Sequence, residues 1–507
     1  MKKTALILMV LTIFSKIMGF SRDIILSYFY GASGVSDAYL ISLTIPTVIF
    51  TFVGVGLSTT FIPIFSQVLQ EDGEEKANDF TNNVINLLML ISSIIVIAVL
   101  FFSGPIVKIF ASGFEGKTLS LAISLTRITI FSIYITGIIY IFKGYLEIKN
   151  NFIAPVLIGI PLNLFLITSI FLSTKTDLIV LGYGKIAAVI AQLFFLTPFL
   201  VKKGYQYNFN FGFSNPRLKK MMYLSIPIIL GTSVNQINML VDRTLASQVA
   251  IGGISALNYA DQLNSFVQGI FVMSIATVMF ATISKMAVEK NIVGIKKSLG
   301  ESITGISLLV LPAMVGSMIF AVPIVSLLFG RGEFDNRAVL MSSEALYYYS
   351  IGMIALGVRE VLARAFYSLQ DTKTPMINAA IGMILNIALN FILVQYLGLG
   401  GLALATSIAA IFTTVLMFIS LRKKIGPFGM KQISISFLKI LFASLIMGGL
   451  AKLSFNYLTT SLSQNFSLLI AIGVGAVSYF VIIYFMKIED VDVIVGAIKK
   501  KFGRGVA

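Results

Sequence analysis

Four charged residues stand inside or at the edge of apolar runs near the start of the chain. They are Lys16, Arg22, Asp23 and Asp37, within SKIMGFSRDIILSYFYGASGVSDAY from Ser15 to Tyr39. A charge at mid-bilayer depth costs at least about 2.5 kcal/mol, so such side chains normally face a bundle interior or a wet cavity and mark functional positions. Lys16, Gly19 and Asp23 follow an i, i+3, i+7 pattern and share one helix face, with Arg22 one residue round from Asp23. One wall of a cavity can thus carry both cations.

A second group follows in QINMLVDRTLASQVAIGGISALNYADQL, where Asp242, Arg243 and Asp261 echo the first motif. Further on, Glu344, Arg359, Glu360 and Arg364 share one apolar run; pairing near its cytoplasmic end accounts for the last three. Asn386 and Asn390, four apart, lie on one helix face, and Thr406 lies on the next helix. Amide and hydroxyl oxygens beside a carboxylate suit a hard alkali cation. Hydrogen bonding between helices, which such residues commonly provide in membranes, explains the same spacing better.

The elements that position these residues follow from composition. Of 507 residues, 57% are hydrophobic and 12% charged, and the mean hydropathy is +0.94. The chain is too apolar for a soluble core and is read as an all-α polytopic membrane protein. Cysteine and histidine are absent. That removes disulfides, thiol nucleophiles, histidine acid–base chemistry and most transition-metal sites. The net charge of +16 sits in short loops between apolar runs, the pattern of membrane orientation rather than of nucleic-acid binding. The start, MKKTALILMVLTIF, has the look of a signal peptide but no small-residue cleavage site follows, so it is read as a retained first helix.

Spacing of the apolar runs predicts fourteen transmembrane helices, the first over 5–28 and the last over 465–486. An even number places both termini on one side. Lys2 and Lys3 agree in this with Lys499, Lys500, Lys501 and Arg504, and the basic loops at 202–220 and 422–431 fall on that same, cytoplasmic side. The loop EDGEEKAND, 71–79, is acidic yet also falls inside, which the orientation rule tolerates because acids count for little.

The chain also repeats at about 220 residues: Pro105 in GPIVKIFASGF matches Pro323 in VPIVSLLFGRGEF, Pro155 matches Pro375, and LGYGKIAAVIA at 181 matches LGLGGLALATS at 397. The expected domains are an N-lobe of six helices over 1–200, a C-lobe of six over 201–424, and two further helices with a basic tail over 425–507. The two lobes form a parallel repeat around a central cavity, the architecture of an alternating-access transporter.

The ordered motifs GFSRD at 19–23, SDAY at 36–39, VDRTLAS at 241–247, GGISALNYADQL at 252–263 and RAFYSLQDTKTP at 364–375 resemble the MurJ (MviN) lipid II flippase family of the MOP exporter superfamily. The resemblance implies a transporter, not an enzyme, in the bacterial cytoplasmic membrane, acting as a monomer without nucleic acid. Its substrate would be an undecaprenyl-diphosphate-linked peptidoglycan precursor, moved from the inner to the outer leaflet, and the last two helices would form a groove for the lipid tail. The family's cations fall on Lys16 and Arg22, its acidic partners on Asp23 and Asp37, and its functional serine on Ser255; Asp261 joins this substrate set. A sodium site falls on Asp242, Asn386, Asn390 and Thr406, with Na+ as the coupling ion and no other cofactor.

Two positions depart from the family pattern. Phe50 stands where the second helix normally carries an arginine, and Gln262 replaces the arginine after YAD. A diphosphate binds arginine better than lysine, through its planar fork of donors, so the substitutions leave room for another polyprenyl-linked oligosaccharide. A multidrug antiporter of the same superfamily calls for a more apolar or acidic site. A lipid-linked glycosyltransferase needs a base or metal carboxylates in an external loop, where only Glu115, Glu333 and Asp335 stand scattered.

Overall fold

A computed structural model describes residues 2–208 and 215–486; the basic tail with Lys499, Lys500, Lys501 and Arg504 lies outside them. Among the described residues all regular structure is helical. The chain divides into two compact units, one of Met1–Ser255 with Arg331–Ala338, the other of Ala256–Gly330 with Val339–Ala507.

The first unit contains α1 (Lys2–Tyr30), α2 (Gly34–Phe50), α3 (Gly56–Phe101), α4 (Ser103–Phe110), α5 (Gly116–Thr129), α6 (Ser132–Ile148), α7 (Ile153–Leu157), α8 (Gly159–Ser173), α9 (Val180–Lys202) and α10 (Pro216–Val249). Ser33 starts α2 through a capping box with Ser36, which satisfies two backbone donors at the helix start. A π-helical turn, Thr51–Val55, joins α2 to α3. Helix α8 packs on α9 and on α1, α2 on α5, and α3 on α6 and α10. The core is aromatic where α3 meets α6, with Phe61, Phe65, Phe80 and Tyr145 in ring contact.

The second unit contains the rest of α11 (Gly253–Val267), then α12 (Met273–Val288), α13 (Ile292–Ile319), α14 (Ala321–Leu328), most of α15 (Asn336–Ser368), α16 (Lys373–Ile425), α17 (Met430–Leu458) and α18 (Gln464–Phe485). Helix α17 packs on α13 and α18. A cavity of about 570 Å³ opens between α13, α15, α16 and α17, walled by Met314, Ile354, Val415, Phe418, Phe437 and Leu441. Its lining is almost wholly hydrocarbon.

Among the described residues ten helices are long and apolar enough to cross a membrane, or eleven if the α5–α6 pair, bent by 46°, is one span. Two of them greatly exceed the roughly 20 residues that one crossing needs. Helix α3 has 46 residues and α16 has 53, and each leaves helical geometry at one glycine, Gly73 (φ 84°) and Gly398 (φ 53°). The acidic segment beside Gly73 is held by bases: Arg217 pairs with Glu71 at 2.9 Å and with Asp72, and Lys149 pairs with Glu74. The pairing with Lys149 holds the Glu74 carboxyl below its ordinary range.

Several local features recur at the repeat distance. Asn150 (φ 59°) and Gln370 (φ 58°) both take the left-handed conformation that stops a helix. The next residues, Asn151 and Asp371, each send their N–H five residues back and accept from the N–H three residues on. Helices α4 and α14 likewise follow breaks of almost one geometry, Phe102 (φ −105°, ψ 24°) and Phe320 (φ −112°, ψ 25°).

Candidate functional site

Helix α1 carries the first candidates. Neighbouring residues on a helix project about 100° apart, so Arg22 reaches Asp23 only by folding its side chain round the helix. Its Nε and Nη2 both donate to Asp23 Oδ1, at 3.0 and 2.7 Å. The Asp23 side chain is 1% exposed and that of Arg22 21%. Asp23 Oδ2 is buried without a hydrogen-bond partner, and so is the hydroxyl of Tyr39, on which the charges of Arg22 and Asp23 both act. Lys16 is exposed and forms no hydrogen bond or ion pair among the described residues.

Asp37 lies in the first turn of α2 and does a different task. Its carboxylate accepts from the Gly252 N–H at 2.8 Å and from both the N–H and the hydroxyl of Ser255 at 2.7 Å. Ser36 adds a donor to the Ser255 hydroxyl at 3.1 Å, and Arg243 donates to the Ile254 carbonyl at 3.0 Å. The carboxylate thus sits in the first turn of α2 and caps backbone N–H groups at the start of α11, two places where helix dipoles favour negative charge. The close fit requires glycine at 252: φ is +83°, and a Cβ there would meet the Ala32 carbonyl oxygen at 2.0 Å.

The structure thus joins Arg22 with Asp23, and Asp37 with Ser255, as two separate groups. Asp261 is exposed on α11 beyond Ser255. In the second unit, Asn390 donates to Asn386 at 3.1 Å and Asn386 to the Thr406 hydroxyl at 3.3 Å, bridging the two halves of α16. Asp242 belongs to the first unit, where Asn238 donates to its carboxylate at 3.3 Å. Phe50 is buried against Val96, Val99 and Ile133, with its ring 5.2 Å from that of Tyr140. Arg364 pairs with Glu360 at 2.8 Å.

Two residues escaped the sequence reading. Lys185, half-buried on α9, has the Arg22 charge acting on it, and Tyr39 reads as an ordinary aromatic. A signal for Lys185 was available: Leu181, Lys185, Ala188 and Gln192 recur at intervals of four, three and four, placing the lysine on an otherwise packed face.

A many-spanning helical bundle that keeps a buried ion pair has the build of a membrane transporter, and its relatives place it there. The family model for the lipid II flippase MurJ matches residues 26–473, and the chain belongs to that family. A Vibrio cholerae relative named "Probable lipid II flippase MurJ" is 29% identical, the match covering 97% of each chain. The Burkholderia cenocepacia "Lipid II flippase MurJ" is 26% identical over 87% of each. A solved structure of a lipid II flippase MurJ in an inward closed conformation matches with a TM-score of 0.82 at 29% identity, covering 95% of this chain and 98% of that one. A multidrug resistance MATE family transporter of the MOP superfamily shares the fold, with a TM-score of 0.71 at 16% identity, covering 81% and 94%.

Proposed function

We propose that this protein flips lipid II, or a close polyprenyl-diphosphate-linked peptidoglycan precursor, from the inner to the outer leaflet of the bacterial cytoplasmic membrane. The observation that carries this reading is the family match across residues 26–473. The Arg22–Asp23 pair supplies the chemistry: a guanidinium held on one carboxylate oxygen by a folded side chain can exchange that partner for a diphosphate. Lys16, exposed on the same helix, is the second cation offered to the substrate, and the hydrocarbon cavity beside α17 suits a polyprenyl tail.

The proposal includes fourteen spans with both termini cytoplasmic. Dividing α3 and α16 at Gly73 and Gly398 turns the eleven segments into thirteen, and α1 makes the last. The recurring helix stops at Asn150 and Gln370 support the parallel repeat. Alternating access, action as a monomer and sodium coupling belong to the same reading. Asn386, Asn390 and Thr406 offer the oxygen donors that a sodium ion takes, and Asp242 is the carboxylate of the same reading. Expression of this chain in a bacterium depleted of its own lipid II flippase should restore growth and lipid II export; normal membrane insertion without rescue would refute the substrate.

A further inference from the structure

Arg22 is not the only cation turned into its unit. The stripe Leu181, Lys185, Ala188 and Gln192 lies on one face of α9. Leu181 and Ala188 are fully buried and Gln192 nearly so, its amide nitrogen donating to the Ile158 carbonyl at 3.0 Å. The stripe therefore faces inward. Helix α9 packs on α8, α8 packs on α1, and α2 touches both α1 and α9. Lys185 finds no acid there: among the described residues it forms no hydrogen bond and no ion pair, and the charge acting on its ammonium is the like charge of Arg22.

Like charges crowded in an apolar wall repel, and both have lost water; an anion between them reverses the balance. Asp23 neutralises Arg22 through one oxygen, so Arg22 and Lys185 together leave one positive charge in excess. A neutral donor stands near Arg22. The Tyr39 hydroxyl is buried, unpartnered and within the field of Arg22, and such an atom gains a full hydrogen bond when an acceptor arrives. We infer that Lys185 and the Tyr39 hydroxyl form, with Arg22, a donor set for a phosphate group of the transported diphosphate. This assignment rests on the proposed function. It places the anion against α1, α2 and α9 and makes Lys185 a substrate ligand rather than a packing residue.

Binding of purified Lys185→Met, Lys185→Arg, Tyr39→Phe and Arg22→Ala to lipid II, and separately to inorganic pyrophosphate, tests the assignment, with thermal unfolding measured in parallel. Lys185→Met should bind lipid II about tenfold more weakly while melting no lower than wild type, since it relieves repulsion with Arg22. Lys185→Arg should bind within about threefold of wild type, and Tyr39→Phe about threefold more weakly. A parallel loss of pyrophosphate binding places recognition on the diphosphate alone; a loss confined to lipid II places it on the lipid-linked form, and either supports the donor set. If Lys185→Met retains lipid II as wild type does while Arg22→Ala loses it, the inference fails and the proposed function stands. Retention by both variants would remove the diphosphate site from this wall. A lower melting temperature with unchanged binding would make Lys185 a structural residue.

Discussion

Asp37 takes both donors of Ser255 on one carboxylate oxygen, the backbone N–H and the hydroxyl each at 2.7 Å, although the two residues are 218 apart in sequence. The other oxygen takes the Gly252 N–H. Asp37→Asn turns one acceptor into a donor facing a donor, and should cost about 1–3 kcal/mol of stability. Ser255→Ala removes one hydroxyl bond and should cost about 1 kcal/mol. Thermal unfolding in detergent measures both; equal losses would show that the two backbone bonds contribute little.

Arg22→Ala should insert and fold yet retain lipid II about ten- to a hundredfold less well in native mass spectrometry, as expected for one charge-assisted contact. Lys16→Arg should leave transport intact, because the exposed lysine has no partner geometry for arginine to disturb. Equal lipid retention by wild type and Arg22→Ala is incompatible with a diphosphate ligand at that position.

Asp371 gives a pH signature outside the membrane. Its bonds with the Lys424 ammonium at 2.7 Å and with Thr374 hold its carboxyl down to about 2, from an ordinary 3.8. A depressed carboxyl stabilises fully above the unfolded value, and that contribution is lost as pH falls through about 2. Lys424 is 38% exposed, so solvent screening limits the gain to about 1 kcal/mol or less. Asp371→Asn should lower the melting temperature slightly at pH 7 and not at pH 2; an equal loss at both would separate the effect from ionisation.

Sodium should raise the melting temperature of the wild type, and Asn386→Ala should abolish the rise by breaking the chain from Asn390 to Thr406. Asp242→Asn, assayed alone, asks whether that carboxylate belongs to the same ion. An unchanged sodium response in both variants would exclude the site.

Orientation can be checked with single cysteines, since the natural chain has none. Gly252 is a poor position because a side chain there strikes Ala32. Ile251, 68% exposed in the same turn, is a sound one. Ile251→Cys should react with an impermeant reagent in intact cells; reaction only after permeabilisation would invert the topology.

Charge and hydropathy made the class and the Arg22–Asp23 pair legible in the sequence, because each rests on composition or on neighbouring residues. Lys185 was missed because a single lysine five residues into α9 looks like an interfacial residue until its packed face is seen. The tie between Asp37 and Ser255 depends on a turn whose geometry glycine permits but does not announce. The acidic stretch at 71–79 looked like an exception to the orientation rule; Arg217 and Lys149, distant in sequence, neutralise part of it. The breaks in α3 and α16 fall at Gly73 and Gly398, between apolar runs that the sequence reading already separates.

The π turn at Thr51–Val55 holds one residue more than an α-helical turn would. Deleting Gly54, whose space is bounded by the Phe50 ring, would restore an ordinary turn and leave the faces of α2 and α3 in register. The same deletion within Gly34–Phe50 would rotate every residue beyond it by about 100°. Kinship among such chains should therefore show its one-residue gaps at this turn, where a length change is absorbed before it reaches either neighbouring helix.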